Sequence, residues 1–94
     1  MQKIKVCDVW NAHAGEHFEW ENKVTTAPKC CKIDLDDSGL RWPFVQPAPL
    51  EVPGMVNGVP GRLACQVAPG LPDGTYSYES VCCGDNVPKS VTIP

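Results

Sequence analysis

The sequence predicts an all-β domain that is stapled by disulfides. Three observations favour it: short alternations of polar and apolar residues, frequent turn signals, and an even number of cysteines. The 94-residue chain contains eight glycines, ten prolines and six cysteines, a composition typical of short strands joined by tight turns. No segment shows the 3.6-residue periodicity of an amphipathic helix over a useful length. We therefore expect a β-sandwich or barrel, with residues 1–94 forming a single domain.

The alternating segments give the predicted strands. In chain order they are residues 3–10, 17–21, 31–36, 62–67, 75–81 and 90–93. The clearest alternation places Phe18 and Trp20 on one face and glutamates on the other, and in the next strand Cys31, Ile33 and Leu35 share a face. Turns are predicted at residues 25–29, 36–39 and 84–86, where proline, glycine, aspartate, asparagine or serine interrupts the pattern.

A proline-rich segment follows the third predicted strand. Seven of the ten prolines lie between residues 42 and 72, and proline excludes a central strand because it donates no backbone hydrogen bond. We therefore expect residues 41–52 to run along an edge or across one end of the fold. The large apolar side chains in this segment are Trp42, Phe44, Val45 and Leu50. They predict either a binding surface for a protein, a small ligand or a second copy of the chain, or a plug that closes one end of the core.

The cysteine pattern predicts three disulfides. The six residues are Cys7, Cys30, Cys31, Cys65, Cys82 and Cys83. Metal clusters usually use a C-x-x-C spacing, whereas these doublets are directly adjacent, and neighbouring side chains of a strand point to opposite faces. Six cysteines allow 15 connectivities, among which the sequence does not choose. The alternatives are a cysteine metal cluster and the reduced thiols of a cytosolic protein.

Disulfides favour a secreted or periplasmic location. The first residues lack the apolar segment of a secretory leader, so we expect a mature domain from which the leader has been removed. A net charge of −3 argues against a nucleic-acid partner, since phosphate binding needs clustered Lys and Arg. No apolar run approaches the roughly 20 residues that span a bilayer, so we expect no membrane span.

Two histidines are the candidate metal ligands. His13 and His17 match the letters H-x-x-E-H of zinc proteases, but that chemistry requires a helix, and Gly15 disfavours one here. We therefore expect two solvated histidines. The alternative is a copper or zinc site that adds Glu16 or Glu19. No nucleophile has a plausible base and no paired carboxylates flank a cleft, so we predict no enzyme activity, no catalytic residue and no required cofactor.

The C-terminal third resembles the cupredoxins. The sequence is Gly-Thr-Tyr-Ser-Tyr at residues 74–78 and Ser-Val-Thr-Ile at residues 90–93, which is similar to the final hairpin of that family. The resemblance implies a small Greek-key β-sandwich in which the first of these strands runs up to the copper site. It also implies a disulfide that joins Cys7 to Cys30 or Cys31.

The blue-copper ligands of that family are not carried over. The family has a cysteine two residues after the second tyrosine, where this chain has Ser80, and residues 84–89 contain neither His nor Met. A blue-copper site needs two histidines and a cysteine thiolate. We therefore expect a cupredoxin-like fold without that centre, acting as a non-enzymatic structural or binding domain. The alternative is a metal-binding module that uses His13, His17 and either Cys82 or Cys83.

Overall fold

The computed structural model describes residues 1–24, 30–36, 41–83 and 88–94. These residues form eight β-strands and no helix, so none of them offers a helix that could cross a membrane. The strands are β1 (Gln2–Lys5), β2 (Trp10–Asn11), β3 (His17–Asn22), β4 (Cys31–Leu35), β5 (Leu50–Val52), β6 (Gly61–Gln66), β7 (Gly74–Ser80) and β8 (Lys89–Ile93). The turns predicted at residues 25–29 and 84–86, and all but the first residue of the turn at 36–39, lie outside the described residues.

The strands form two sheets. The first sheet has the order β1-β3-β6, with β1 parallel and β6 antiparallel to β3. The second has the order β2-β8-β7-β4-β5, in which β2 runs parallel to β8 and the other pairs are antiparallel. The all-β prediction is therefore confirmed for the described part of the chain. Because consecutive strands β1 to β4 alternate between the sheets, the early connections cross from one layer to the other.

Five aromatic side chains fill the space between the sheets. They are Trp10, Phe18, Trp20, Phe44 and Tyr78, all buried, with neighbouring ring centroids 4.7 to 6.4 Å apart. Most of the pairs meet edge to face or tilted, the arrangement that the ring quadrupoles favour. The inward face predicted for Phe18 and Trp20 is confirmed.

A buried hydrogen bond joins β2 to β7 inside this cluster. The indole N–H of Trp10 donates to the Tyr78 hydroxyl over 2.9 Å, and that hydroxyl donates to the Asp8 carbonyl oxygen over 3.4 Å. Both polar groups are satisfied in this way, as buried polar groups need to be. Burial raises the pKa of Tyr78, so its phenol stays protonated at neutral pH.

Three details of the strand predictions are corrected. The predicted strand 3–10 divides into β1 and β2, because the Asp8 N–H donates to the Lys5 carbonyl oxygen and turns the chain. Leu35 is 50 % exposed instead of inward-facing, since β5 pairs with β4 only as far as Ile33. Glu21 is buried instead of solvated, and its carboxylate meets the Lys23 ammonium at 3.1 Å.

The proline-rich segment contributes mainly to the core. Phe44 is 4 % and Leu50 is 5 % exposed, which corrects the interpretation of Trp42, Phe44, Val45 and Leu50 as one binding surface. The physical reason is that this segment pairs with the end of β6 and the residue after it: Phe44 forms an antiparallel bridge with Val67, and the Val45 N–H donates to the Gln66 carbonyl oxygen over 2.9 Å. Of these four side chains, Trp42 is half-buried and Val45, at 49 %, is exposed. These positions fit the plug, while β5 lies at a sheet edge.

Replacing Phe44 should therefore destabilise the domain strongly. We expect Phe44→Ala to lower the free energy of unfolding by about 3–5 kcal/mol, because it removes a buried aromatic ring and leaves a cavity. Urea denaturation measures this loss. Val45→Ala is the matched control and should change the free energy by less than about 0.5 kcal/mol. Equal losses from the two neighbours would contradict the plug.

The hydroxyl of Tyr78 should contribute separately from its ring. Tyr78→Phe keeps the ring but leaves the buried Trp10 N–H without its acceptor, which should cost about 1–3 kcal/mol of unfolding free energy. Tyr76→Phe is the control, because the Tyr76 hydroxyl donates to the Pro72 carbonyl oxygen at an exposed position. Thermal and urea denaturation should show the larger loss for Tyr78→Phe. A loss of the same size for Tyr76→Phe would refute the role of the buried bond.

Candidate functional site

Two disulfides meet at the end of β7. Cys7, just after β1, is bonded to Cys83, with their Cα atoms 5.5 Å apart. Cys31, at the start of β4, is bonded to Cys82, with a Cα separation of 5.3 Å. Both Cα separations are usual for disulfides. The first bond therefore ties the two sheets together, and the second ties β4 to the end of its neighbour β7.

The sheet register explains the second pairing. Ile33 lies opposite Ser80 in the antiparallel β4–β7 ladder, so Cys31, two residues before Ile33, comes opposite Cys82, two residues after Ser80. Cys82 is buried, whereas its neighbour Cys83 is half-buried and reaches across to Cys7. The other doublet behaves as its alternation predicts, with Cys31 buried and Cys30 exposed.

The four bonded sulfurs form one cluster around Ser80. The Sγ atoms of Cys7, Cys82 and Cys83 all lie within 4.8 Å of one another, and Cys31 is bonded to Cys82. The Ser80 hydroxyl lies 3.2 Å from Cys83 Sγ, 3.3 Å from Cys31 Sγ and 3.5 Å from Cys82 Sγ. Because bonded sulfurs carry no proton, the hydroxyl is the donor here, and its single proton can be directed at one of the three sulfurs at a time.

This cluster offers no metal ligand while it is oxidised. Three cysteine sulfurs at such distances suit a soft metal ion only as thiolates. All three belong to disulfides here, so the metal-cluster alternative has no thiolates at this place in the disulfide-bonded protein.

A cavity opens beside Cys7. Its volume is about 190 Å³, and it is lined by Lys5, Val6, Cys7, Asp8, Glu21, Lys23 and Val24. The Lys23 ammonium donates to the Glu21 carboxylate and, with the charge of Arg62, lowers the pKa of Glu21, so this carboxylate is ionised at neutral pH. The residues that line the cavity beside Cys7 thus include two lysines and two acidic residues.

The third predicted disulfide is not formed. Cys30 and Cys65 are free, because Cys30 is exposed beside β4 in the second sheet, while Cys65 is buried on β6 in the first. Burial raises the pKa of the Cys65 thiol to about 11. The pairing of Cys7 with Cys30 or Cys31 that the family resemblance implies is also absent, since Cys7 pairs with Cys83.

The histidines lie at the other end of the sandwich. His17 begins β3, and β1 runs parallel to β3 with Gln2 opposite Phe18. Cys7 follows the far end of β1, so about six residues of strand, or roughly 20 Å, separate His17 from Cys7 along the strand direction. The alternative site that combines His13 and His17 with Cys82 or Cys83 is therefore not brought together.

The motif around Glu16 also lacks the geometry of a zinc protease. Residues 13–16 form a turn ahead of β3, and both histidines are exposed. Glu16 accepts hydrogen bonds from Gln2 Nε2 at 2.5 Å and from the His13 N–H at 3.1 Å, and these bonds lower its pKa. Within the described ranges, the two histidines belong to no group of three potential ligands whose atoms all lie within 4.8 Å of one another.

Comparisons with known proteins add no family assignment. No protein-family model matches this chain, and the curated proteins contain no match to it. The sequence indicated every cysteine of the cluster but not the positions of Ser80, Lys5 and Lys23 beside it, because their proximity to the sulfurs depends on the strand register. Tyr78, Ser80 and Cys82 are spaced two residues apart, so in a strand they share a face, and this spacing is the feature of the sequence that could have indicated Ser80.

The two free thiols should differ in reactivity. We expect iodoacetamide to modify Cys30 in the folded protein and Cys65 only after unfolding, because Cys65 is buried and its pKa is raised. Mass spectrometry of the peptides measures both rates. Rapid modification of Cys65 in the folded protein would contradict its position.

The raised pKa of Cys65 also predicts a pH dependence. The unfolded thiol ionises near its ordinary value of 9.0, and the folded one near about 11. The contribution of the protonated thiol to the free energy of unfolding is therefore fully present below pH 9.0 and is lost as the pH rises towards about 11. Cys65→Ala should flatten this decline in urea denaturation, whereas Cys30→Ala should leave it unchanged.

Proposed function

We propose that this chain is a secreted or periplasmic, non-enzymatic domain with a structural or binding role and no blue-copper centre. The observation that carries this proposal is the pair of disulfides at the end of β7. They occupy the end of the strand that, in the family resemblance, leads to copper. A sulfur in a disulfide is not the thiolate that blue copper requires.

We further propose that the sandwich is a Greek key of the cupredoxin type. Support comes from the parallel pairing of β1 with β3 and of β2 with β8, which requires connections that cross between the layers. The last two strands also pair as an antiparallel hairpin and contain the residues that carry the resemblance. The aromatic core between three-stranded and five-stranded sheets is consistent with this architecture.

The disulfides support an oxidising location. They link residues 76 and 51 positions apart, and in the chain-entropy account each loop of this length contributes about 4 kcal/mol to stability. A chain of this size has a total stability of about 5–15 kcal/mol, so the bonds would supply much of it. Disulfides persist in secreted and periplasmic proteins.

A binding role would use the exposed apolar positions. Val56 and Val59 are 66 % and 60 % exposed and flank the turn at Asn57-Gly58, where both residues have positive φ. Each valine N–H donates to the carbonyl oxygen of the other, so this tip is a rigid hairpin. Its partner would be a protein, a small ligand or a second copy of this chain.

Copper titration tests the proposal. We expect the unreduced protein with Cu(II) to lack the intense thiolate-to-copper absorption of a blue site, because no thiolate lies beside two histidines. Any copper that binds should require His13 and His17, so His13→Ala combined with His17→Ala should abolish its binding in calorimetry. An intense blue absorption would overturn the proposal, and full affinity in the double variant would place the ligands elsewhere.

A further inference from the structure

We infer that the Cys7–Cys83 disulfide is a modification site for a small zwitterionic thiol, and that its opening leads to thiol–disulfide exchange with the buried Cys31–Cys82 disulfide. The two bonds differ in access: Cys7 and Cys83 are half-buried, whereas Cys82 and Cys31 are 9 % and 0 % exposed. Of the four disulfide-bonded cysteines, Cys7 is the one that lines the cavity. Attack from solvent therefore reaches Cys7 Sγ first.

The cavity selects the class of thiol. A volume of about 190 Å³ admits a small molecule. Lys23 is paired with Glu21, whereas Lys5 and Asp8 form no ion pair among the described residues. Both residues belong to the wall of the cavity. They complement the carboxylate and the ammonium of an amino-acid thiol such as cysteine.

The first step opens the accessible disulfide. The incoming thiolate bonds to Cys7 Sγ, the Cys7–Cys83 bond breaks, and its electron pair leaves on Cys83 Sγ. The Ser80 hydroxyl, 3.2 Å from that sulfur, donates a hydrogen bond to the leaving thiolate. The products are a mixed disulfide on Cys7 and a thiolate on Cys83.

The second step regenerates Cys7. A second molecule of the thiol attacks the ligand sulfur of the mixed disulfide, which leaves as the oxidised thiol dimer and releases the Cys7 thiolate. Two thiols have then been oxidised to one disulfide, and Cys7 and Cys83 have gained two electrons and two protons between them.

The third step moves the remaining disulfide. Cys7 Sγ lies within 4.8 Å of Cys82 Sγ, so its thiolate can attack that sulfur, forming Cys7–Cys82 and releasing Cys31 as a thiolate that takes up a proton. Ser80, 3.3 Å from Cys31 Sγ, can donate to this leaving group as well. A Cys82–Cys83 bond is disfavoured, because adjacent Cα atoms are about 3.8 Å apart, closer than disulfides usually allow.

The exchange changes what the cluster holds together. Before it, the end of β7 is bonded to both β4 and the segment after β1. Afterwards the bond to the first sheet is kept through Cys7–Cys82, while β4 is released from the end of β7. The cluster thus works as a redox-sensitive staple on β4 and on the edge strand β5 that pairs with it.

Time-resolved trapping tests this sequence of steps. Cys30→Ser removes the exposed thiol next to Cys31, and this protein is treated with L-cysteine, quenched with acid, alkylated with N-ethylmaleimide and mapped by mass spectrometry. We expect first a cysteine adduct on Cys7 with alkylated Cys83. A species with a Cys7–Cys82 bond and alkylated Cys31 and Cys83 should follow. A first adduct on Cys83, Cys31 or Cys82 would overturn the inference, and so would alkylation confined to Cys7 and Cys83 or simultaneous opening of both bonds.

Two variant pairs separate the relay from a structural effect. With Cys7→Ser and Cys83→Ser added, Cys31–Cys82 should open at least about tenfold more slowly, since only direct attack on a buried bond remains. Ser80→Ala should slow the first adduct by roughly tenfold, the effect of losing a hydrogen bond of about 1.4 kcal/mol to a charged leaving group. Ser77→Ala, on the same strand, should not slow it. Unchanged rates in the first variant, or equal effects at Ser80 and Ser77, would refute the relay.

The thiol class is tested with the same protein. Per thiolate, L-cysteine should form the adduct several-fold faster than neutral 2-mercaptoethanol, and added salt should reduce the difference. Lys5→Gln should reduce it as well. Equal rates for the two thiols would overturn the assignment of a zwitterionic ligand.

Discussion

The burial of Tyr78 is the constraint on which most of the fold depends. Its ring packs against Trp20 and Phe44, and its hydroxyl accepts the Trp10 N–H, so one side chain joins both sheets and the proline-rich segment. Fixing Tyr78 inward also fixes the register of β7. Because side chains two residues apart in a strand share a face, Ser80 and Cys82 then lie on the same face as Tyr78. There Cys82 is bonded to Cys31 of the neighbouring strand.

The disulfides extend this arrangement to one end of the sandwich. A small chain buries a modest share of its surface, so covalent links that close long loops contribute much to its stability. Both links converge on Cys82 and Cys83, the second and third residues after β7. That convergence has a chemical consequence, because sulfurs of one disulfide come within reach of the other. The disulfides that stabilise this domain are thus also the bonds that we propose to exchange.

The parallel pairing of β1 and β3 separates the remaining chemistry. It places the histidines near the beginning of that pair and Cys7 beyond its end. Residues that look compatible as metal ligands in the sequence are therefore held apart by the length of the strands. This separation, together with the oxidised sulfurs, supports the proposed structural or binding role.

The sequence by itself determined most of the strand segments and the inward faces of residues such as Phe18, Trp20 and Ile33, because alternation reports which side of a strand is apolar. It also indicated a disulfide framework from the cysteine count. It did not determine the connectivity, the burial of Glu21, or the choice between plug and binding surface for Phe44, since these depend on which strands become neighbours.

Only the tertiary structure decided that Cys7 meets Cys83 and that Cys30 and Cys65 remain free. Pairing across 76 residues depends on how two sheets stack, and local alternation carries no information about that distance. The same holds for Ser80 and Lys5, which are ordinary strand residues in the sequence. They become part of a reactive cluster and its cavity because antiparallel register and sheet packing bring distant segments to the same end of the molecule.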